Sequence, residues 1–292
     1  MVKLKSIRLV NFGGYRDTTF QLDASKQPVA LFYGPNGFGK STVLEAIRIA
    51  GNPLVFKDRA KGAELYLKPW TYDNDYTSGT GNVKQSRNEM YVHAIFDELG
   101  EQKDVVIGND GFLVNELEEQ HNGYVFYADA DNPINWSKFQ LHSELAGKFV
   151  DLAEAIYGFD CDLGGEVVDQ IQELDGSYSK HMYYQDLIVQ KGKDKVHFCR
   201  MSAGEKKIAT LIRQLCDPDS LMGRDIVLID NVEMHVYFKR HPIMLNKIQE
   251  QFKGKQVIAT THSGVMVESV QPICRYDLEK FRPEYRSLHN VK

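Results

Sequence analysis

Gly34, Gly39, Lys40 and Ser41 satisfy the spacing G-x-x-x-x-G-K-[ST] within YGPNGFGKST, Tyr33 to Thr42. This spacing serves phosphate binding. Successive backbone N–H groups and the positive end of a following helix point at the anion, and glycines let the main chain approach it. Lys40 would neutralise the outer phosphates of a nucleotide, and the Ser41 hydroxyl would ligate magnesium. Asp230, closing the apolar run DIVLID, is the expected acidic partner of that metal. His262, at the end of QVIATTHS, is expected to touch the γ-phosphate. A second anion site is expected in MSAGEKKIATLIRQL, where the Ser202 hydroxyl and the bare backbone of Gly204 begin a helix.

These residues need particular elements behind them. Val29 to Tyr33 reads as a buried strand. STVLEAIRIAG reads as a helix with Val43, Leu44 and Ile47 on one face and Gly51 ending it. DIVLID and QVIATT are two more buried strands. Ile243, Met244, Ile248 and Phe252 between them give the crossover helix that parallel strands require. Ser202 and Glu205 form a capping box, followed by Ile208, Leu211, Ile212 and Leu215 at helical spacing. Two phosphate-binding helix ends far apart in one chain suggest that each serves the nucleotide of a neighbouring copy.

The set GPNGFGKST, SAGEKK, LIDNVEMH and ATTHS, in that order, resembles the ABC-class ATPase heads of the SMC, RecF and OLD-like branch. The opening LKSIRLVNFGGYRDTTFQL strengthens the resemblance. The fold it implies is α/β, a P-loop NTPase of ABC type. It has a mainly parallel core sheet, an antiparallel β-subdomain and a short helical lid. Residue by residue, Gly34 to Thr42, with Asn36, Gly37, Gly39, Lys40, Ser41 and Thr42, correspond to the Walker A loop. Ser202, Ala203, Gly204 and Glu205 correspond to the signature, Asp230 to the Walker B carboxylate and His262 to the switch histidine. The resemblance further implies ATP and Mg²⁺ as ligands, a metal-binding Q-loop glutamine for which Gln140 is the candidate, and a homodimer clamping two ATP molecules. DNA or a separately encoded effector protein is the expected further partner, and DNA maintenance, repair or antiviral defence the expected setting.

One position departs from the pattern. The branch usually has Glu after the Walker B Asp, where this chain has Asn231. An amide is a far weaker base than a carboxylate. Either the head hydrolyses slowly or not at all, as an ATP-locked scaffold, or Glu233 takes over the role. Glu233 and His235 match the E-x-H of OLD-like relatives. Tyr15 and Arg16 lie where adenine or phosphate could be touched, and structural roles fit them equally.

The remaining regions say less. Short alternating stretches from about Gly51 to Tyr127 read as an antiparallel meander, with residues 71–89 as a polar loop. Leu141, Leu145, Phe149, Leu152 and Ile156, then Val167, Val168, Ile171 and Leu174, predict two helices. These define a lid over 136–182, with the head formed by 1–135 and 183–292. The lid is too short for a long coiled coil. Tyr183 to Met201 reads as a hairpin turning at Gly192.

A net charge of -5 confines any nucleic-acid contact to local patches: Lys3, Lys5 and Arg8; Lys57, Arg59 and Lys61; Lys191, Lys193 and Lys195. Four scattered cysteines without a C-x-x-C pair fit reduced thiols, and no membrane-length apolar run or leader is evident, so a soluble cytoplasmic chain is expected. G-x-S-x-G, H-E-x-x-H and nuclease carboxylate clusters are absent from the sequence. The roughly 30 residues after His262 are expected to be too few for a TOPRIM-type domain. A transporter subunit and a P-loop kinase fit the signature region less well.

Overall fold

Five short parallel strands carry the glycine loop, and their order explains why residues distant in sequence meet there. In the computed structural model, which describes residues 1–13, 15–22, 29–53, 91–108, 111–117, 123–129, 139–172, 177–217 and 222–281, the chain opens with β1 (Val2–Phe12), β2 (Tyr15–Gln21), β3 (Val29–Tyr33) and α1 (Lys40–Ala50). There follow β4 (Tyr91–Glu98), β5 (Glu101–Gly108), β6 (Gly111–Asn115), β7 (Val125–Asp129) and β8 (Leu141–His142). Next come α2 (Ala146–Tyr157), β9 (Cys161–Gln172), β10 (Tyr178–Lys191), β11 (Asp194–His197) and α3 (Ala203–Cys216). The chain continues through β12 (Ile226–Asp230), α4 (His241–Gln251), β13 (Gln256–Thr261), α5 (Gly264–Ser269), β14 (Arg275–Asp277) and α6 (Leu278–Phe281). Lys57, Arg59, Lys61, the 71–89 segment, Leu174 and the 136–138 start of the expected lid lie outside the described residues.

The core sheet runs β14-β3-β13-β12-β7, and every pairing in it is parallel. Strands buried on both faces read as continuous apolar runs, as VALFY and IVLID do. Val29, Leu31, Val227, Ile229 and Val257 face one core with α2, α3, α4 and α5, through Phe149, Leu152, Leu211, Met244 and Met266. Ala30, Phe32, Ile226, Leu228 and Ile258 face a second core with α1, through Val43, Leu44 and Ile47. That second core is closed by an antiparallel sheet of order β2-β1-β4-β5-β6, with Leu4, Ile7 and Phe96 turned inward. Each such fully buried aliphatic side chain contributes roughly 1.5–3 kcal/mol.

Polar clasps fix the two sheets together. The Gln256 amide donates to Leu4 O at 3.0 Å and accepts from Leu4 N at 2.7 Å, buried. Asn52, just past α1, clamps β7 in the same way, accepting from Val125 N and donating to Val125 O, each at 3.0 Å.

Several sequence expectations need correction. Residues 161–172 are a strand, not the second lid helix. Val167, Val168 and Ile171 pair across the β9–β10 hairpin with Tyr183, Met182 and Ser179. The spacing imitates a helix because Val167 is only half-buried and Val168 is exposed, so no period-two burial marks this stretch of β9. Leu141 lies in β8 and Leu145 in a 3₁₀ turn, leaving α2 as the lid helix. The expected hairpin at Gly192 is present, but its first strand begins at Tyr178 and pairs mainly with β9. Val125 to Tyr127 belong to the parallel sheet and not to the meander, which is formed by β4, β5 and β6 with β1 and β2. Ile243 is exposed, and Leu245 takes the buried position beside Met244.

Candidate nucleotide site

The loop between β3 and α1 is held open from beneath. Gly34, Gly37 and Gly39 all take positive φ, at 147°, 81° and 84°, a conformation most side chains resist. Phe38 is buried and anchors the loop, while Asn36 and Gly37 stand exposed at its crest. Tyr15 donates its hydroxyl to Phe38 O at 3.0 Å and to Gly39 O at 3.1 Å. It is buried beneath the loop, so its role is support and not adenine contact; Arg16 is exposed. Gly13 lies against Thr42, where a Cβ would meet Thr42 Cγ2 at 2.0 Å. Ser41 is exposed at the start of α1.

Lys40 is only 6% exposed, and its ammonium donates to Gly34 O at 2.9 Å and Pro35 O at 3.0 Å. Burial lowers its pKa, against the pull of Asp230 and Glu233. An anion beside this cation would relieve that penalty. Lys40 Nζ also lies 3.4 Å from His262 Nδ1. Partial burial, and then the Lys40 charge, hold the His262 imidazole below its ordinary pKa, with Glu233 and Asp230 opposing.

β12 and β13 deliver the acidic side. Asp230 Oδ1 accepts from the Thr260 hydroxyl, and Oδ2 accepts from Tyr127 Oη at 3.3 Å. The Thr260 oxygen in turn accepts the Asn231 N–H at 2.8 Å. Asn231 has φ 47°, a left-handed conformation that Asn tolerates better than most residues. Glu233 accepts the His262 backbone N–H through Oε1 at 2.6 Å, while Oε2 is buried without a hydrogen-bond partner. Loop, Lys40, Asp230, Asn231, Glu233 and His262 therefore converge. Thr260, Tyr127 and His241 were not legible as site residues. His241 ties the Asn231–Val236 segment down, with Nε2 2.9 Å from Val236 O and Nδ1 2.7 Å from Ser263 Oγ.

The signature residues begin α3. The capping box is formed: Glu205 N donates to Ser202 Oγ at 3.3 Å, and Ser202 N donates to a Glu205 carboxylate oxygen at 2.9 Å. Ser202 and Ala203 are exposed, and Gly204 packs on His235 so closely that a Cβ would meet its ring at 3.2 Å. The Glu205 side chain pairs with Lys191, and its carbonyl accepts the Tyr157 hydroxyl at 2.6 Å. Burial raises the Glu205 pKa, but the bonds from Lys191 and Ser202 outweigh it and hold the carboxyl below the usual range. Gln140 is exposed just ahead of β8. Of the basic patches, Lys5 pairs with Asp97 and Arg8 with Asp17.

The site also suits a nucleotide with magnesium. Beside the exposed glycine crest lie a desolvated ammonium, Lys40, and within reach of its charge Glu233, which has an unpartnered buried carboxylate oxygen. Among the described residues no three His, Cys, Asp or Glu side chains gather as a metal cage. Magnesium held by one carboxylate, a hydroxyl and substrate phosphates needs none.

The chain superposes on an SMC head domain from Thermotoga maritima with a TM-score of 0.52 and 15% identity, covering 92% of each chain. It also superposes on an Smc head bound to the C-winged helix domain of ScpA, with a TM-score of 0.56 and 15% identity over 91% of each. The fold is that of an SMC head domain. In sequence, residues 6–120 match a family described as AAA domain. The chain is 36% identical over 94 residues to the Retron Ec83 probable ATPase of Escherichia coli, aligned over 29% of this chain and 17% of that one. It is 25% identical over 169 residues to the Retron Vc95 probable ATPase of Vibrio cholerae serotype O1 biovar El Tor, over 55% of this chain and 28% of that one. The chain thus matches 17% and 28% of the lengths of these curated relatives. No helix among the described residues is long and apolar enough to cross a membrane.

Proposed function

We propose that this SMC-type head binds and hydrolyses ATP as a dimer, with the glycine loop of one copy facing Ser202 and Gly204 of the other. The observation that carries the reading is the convergence of Lys40, Asp230, Glu233 and His262 on one loop, while Ser202 and Ala203 at the start of α3 stand exposed. Asn36, Gly37, Gly39, Lys40, Ser41 and Thr42 bind the phosphates. Ser41 and Asp230, with Gln140, would hold magnesium, which supplies positive charge to the phosphate oxygens. Asp230 retains acceptor capacity, since each carboxylate oxygen has a second lone pair beyond those taken by Thr260 and Tyr127.

Glu233 is the general base. Its Oε2 accepts a proton from water as the water oxygen bonds to the γ-phosphorus and the bond to the ADP oxygen breaks. His262 is neutral near neutral pH. With Nδ1 turned to the Lys40 ammonium, Nε2–H is left to donate to a γ-phosphate oxygen.

The names of the sequence relatives, each a retron probable ATPase, support the ATPase reading, and the proposed setting is antiviral defence or DNA maintenance with DNA or an effector protein. A second reading, an ATP-locked scaffold with negligible turnover, is favoured by Asn231 standing where the branch has Glu. Phosphate release by wild type and Glu233→Gln separates the two. Turnover lost only in Glu233→Gln supports the hydrolysing switch, and two equally inert proteins support the scaffold.

A further inference from the structure

The Glu205 carboxylate occupies the donors that a phosphate would need at the start of α3. Its Oε2 accepts from Ser202 N at 2.9 Å and from the Ser202 hydroxyl at 2.8 Å. A carboxylate is welcome at a helix N-terminus. It also puts a negative charge where the γ-phosphate of a partner's nucleotide must arrive, and two anions at one helix end repel unless a cation is shared.

Lys191, the last residue of β10, supplies that cation by donating to the other oxygen, Oε1. The adjacent Lys206 is directed elsewhere, to Cys199 O at 3.2 Å and over the Phe198 ring. The backbone beneath is fixed separately, because the Tyr157 hydroxyl holds Glu205 O at 2.6 Å. The first turn of α3 can therefore stay in place while the Glu205 side chain changes partners. Lys191 itself is set by a long ladder, since β10 pairs with β9 from Tyr178 to Val189 and with β11 from Ile188 to Lys191.

We propose that Lys191 is a positioning residue for the signature: it neutralises Glu205 and draws its carboxylate aside, so that Ser202 and the α3 N–H groups are free to take the partner's phosphate. This rests on the sandwich reading above and adds a named electrostatic device to it. The hairpin that replaces the expected second lid helix thereby acquires a role, as the arm that carries the counter-charge.

The test is self-association of the full chain in magnesium and ATPγS, measured by sedimentation. Lys191→Met should weaken association about ten-fold, and Lys191→Arg should stay within about three-fold of wild type. Adding Glu205→Gln to Lys191→Met should restore association to within about three-fold, because the charge needing neutralisation is gone. A merely structural lysine would not be rescued in this way. Lys191→Gln, which keeps a donor without charge, replaces Lys191→Met if the latter does not fold, and must weaken association likewise. If Lys191→Met associates like wild type, or if Glu205→Gln fails to rescue it, Lys191 has no such role. If wild type itself stays single in ATPγS, the sandwich reading falls and this proposal falls with it.

Discussion

Glu233 spends one carboxylate oxygen on the His262 backbone N–H, at 2.6 Å, and keeps the other buried and unpartnered. A buried acceptor without a donor costs free energy, and such groups in folded proteins call for an explanation. The proposed function supplies one, a water molecule to be deprotonated. Glu233→Gln should therefore lower phosphate release about a hundred-fold or more while ATP binding persists. Asn231→Ala should lower it by less than about ten-fold, since the described contact of Asn231 is made by its backbone. Steady-state rates of the two variants, side by side, decide which residue does the work.

Thr260 has no accessible surface and joins Asp230 Oδ1 to the Asn231 N–H. Thr260→Val keeps the shape and removes the hydroxyl, stranding one acceptor and one donor. It should cost about 1–3 kcal/mol in denaturant unfolding, with turnover falling as Asp230 loses its orientation.

Lys40 is a desolvated cation whose burial opposes its charge. Lys40→Met should leave the nucleotide-free protein no less stable than wild type. It should abolish the gain from ATP, which for wild type is about 2.7 kcal/mol at a hundred-fold excess over Kd. Thermal melts with and without ATP measure both.

His262 titrates below the usual imidazole range, from partial burial and then from Lys40. Its ring resonance should have a midpoint below about 6.5 and should move upward in Lys40→Met, which removes one lowering influence. The sign for stability follows from the same shift. Above the unfolded value the ring is neutral in both states and its contribution is complete. As pH falls through the folded value the unfolded chain binds the proton more readily, and stability is lost. Proton-detected titration of the ring, compared between wild type and Lys40→Met, checks the direction.

Gly13 turns at φ 53° with Thr42 directly against it. Gly13→Ala should destabilise by about 2 kcal/mol or more, from the left-handed backbone and the overlap together. A chemical denaturation curve would measure it.

What could be read from the sequence was the part fixed by local chemistry. Strand VALFY, the glycine loop and the α1 helix are one contiguous unit, and the capping box of Ser202 and Glu205 lies within four residues. Asp230 and His262 were legible because each ends an apolar run, and adjacent parallel strands must bring such ends together. Thr260, Tyr127 and Lys191 were not, because their importance comes from hydrogen bonds to Asp230 and Glu205 across the fold that no spacing announces. The β9–β10 hairpin misled for a different reason. Val167 is half-buried and Val168 exposed on β9, so no alternation of burial is imposed there and these residues could fall at helical spacing by coincidence.

The most direct test is the mass in solution of Glu233→Gln with magnesium and ATP, by sedimentation velocity or light scattering. Two chains clamping nucleotide between loop and signature should give a dimer that returns to a single chain when ATP is omitted or when Ser202→Arg is added. A single chain under every condition, or a dimer indifferent to both ATP and Ser202, would contradict it.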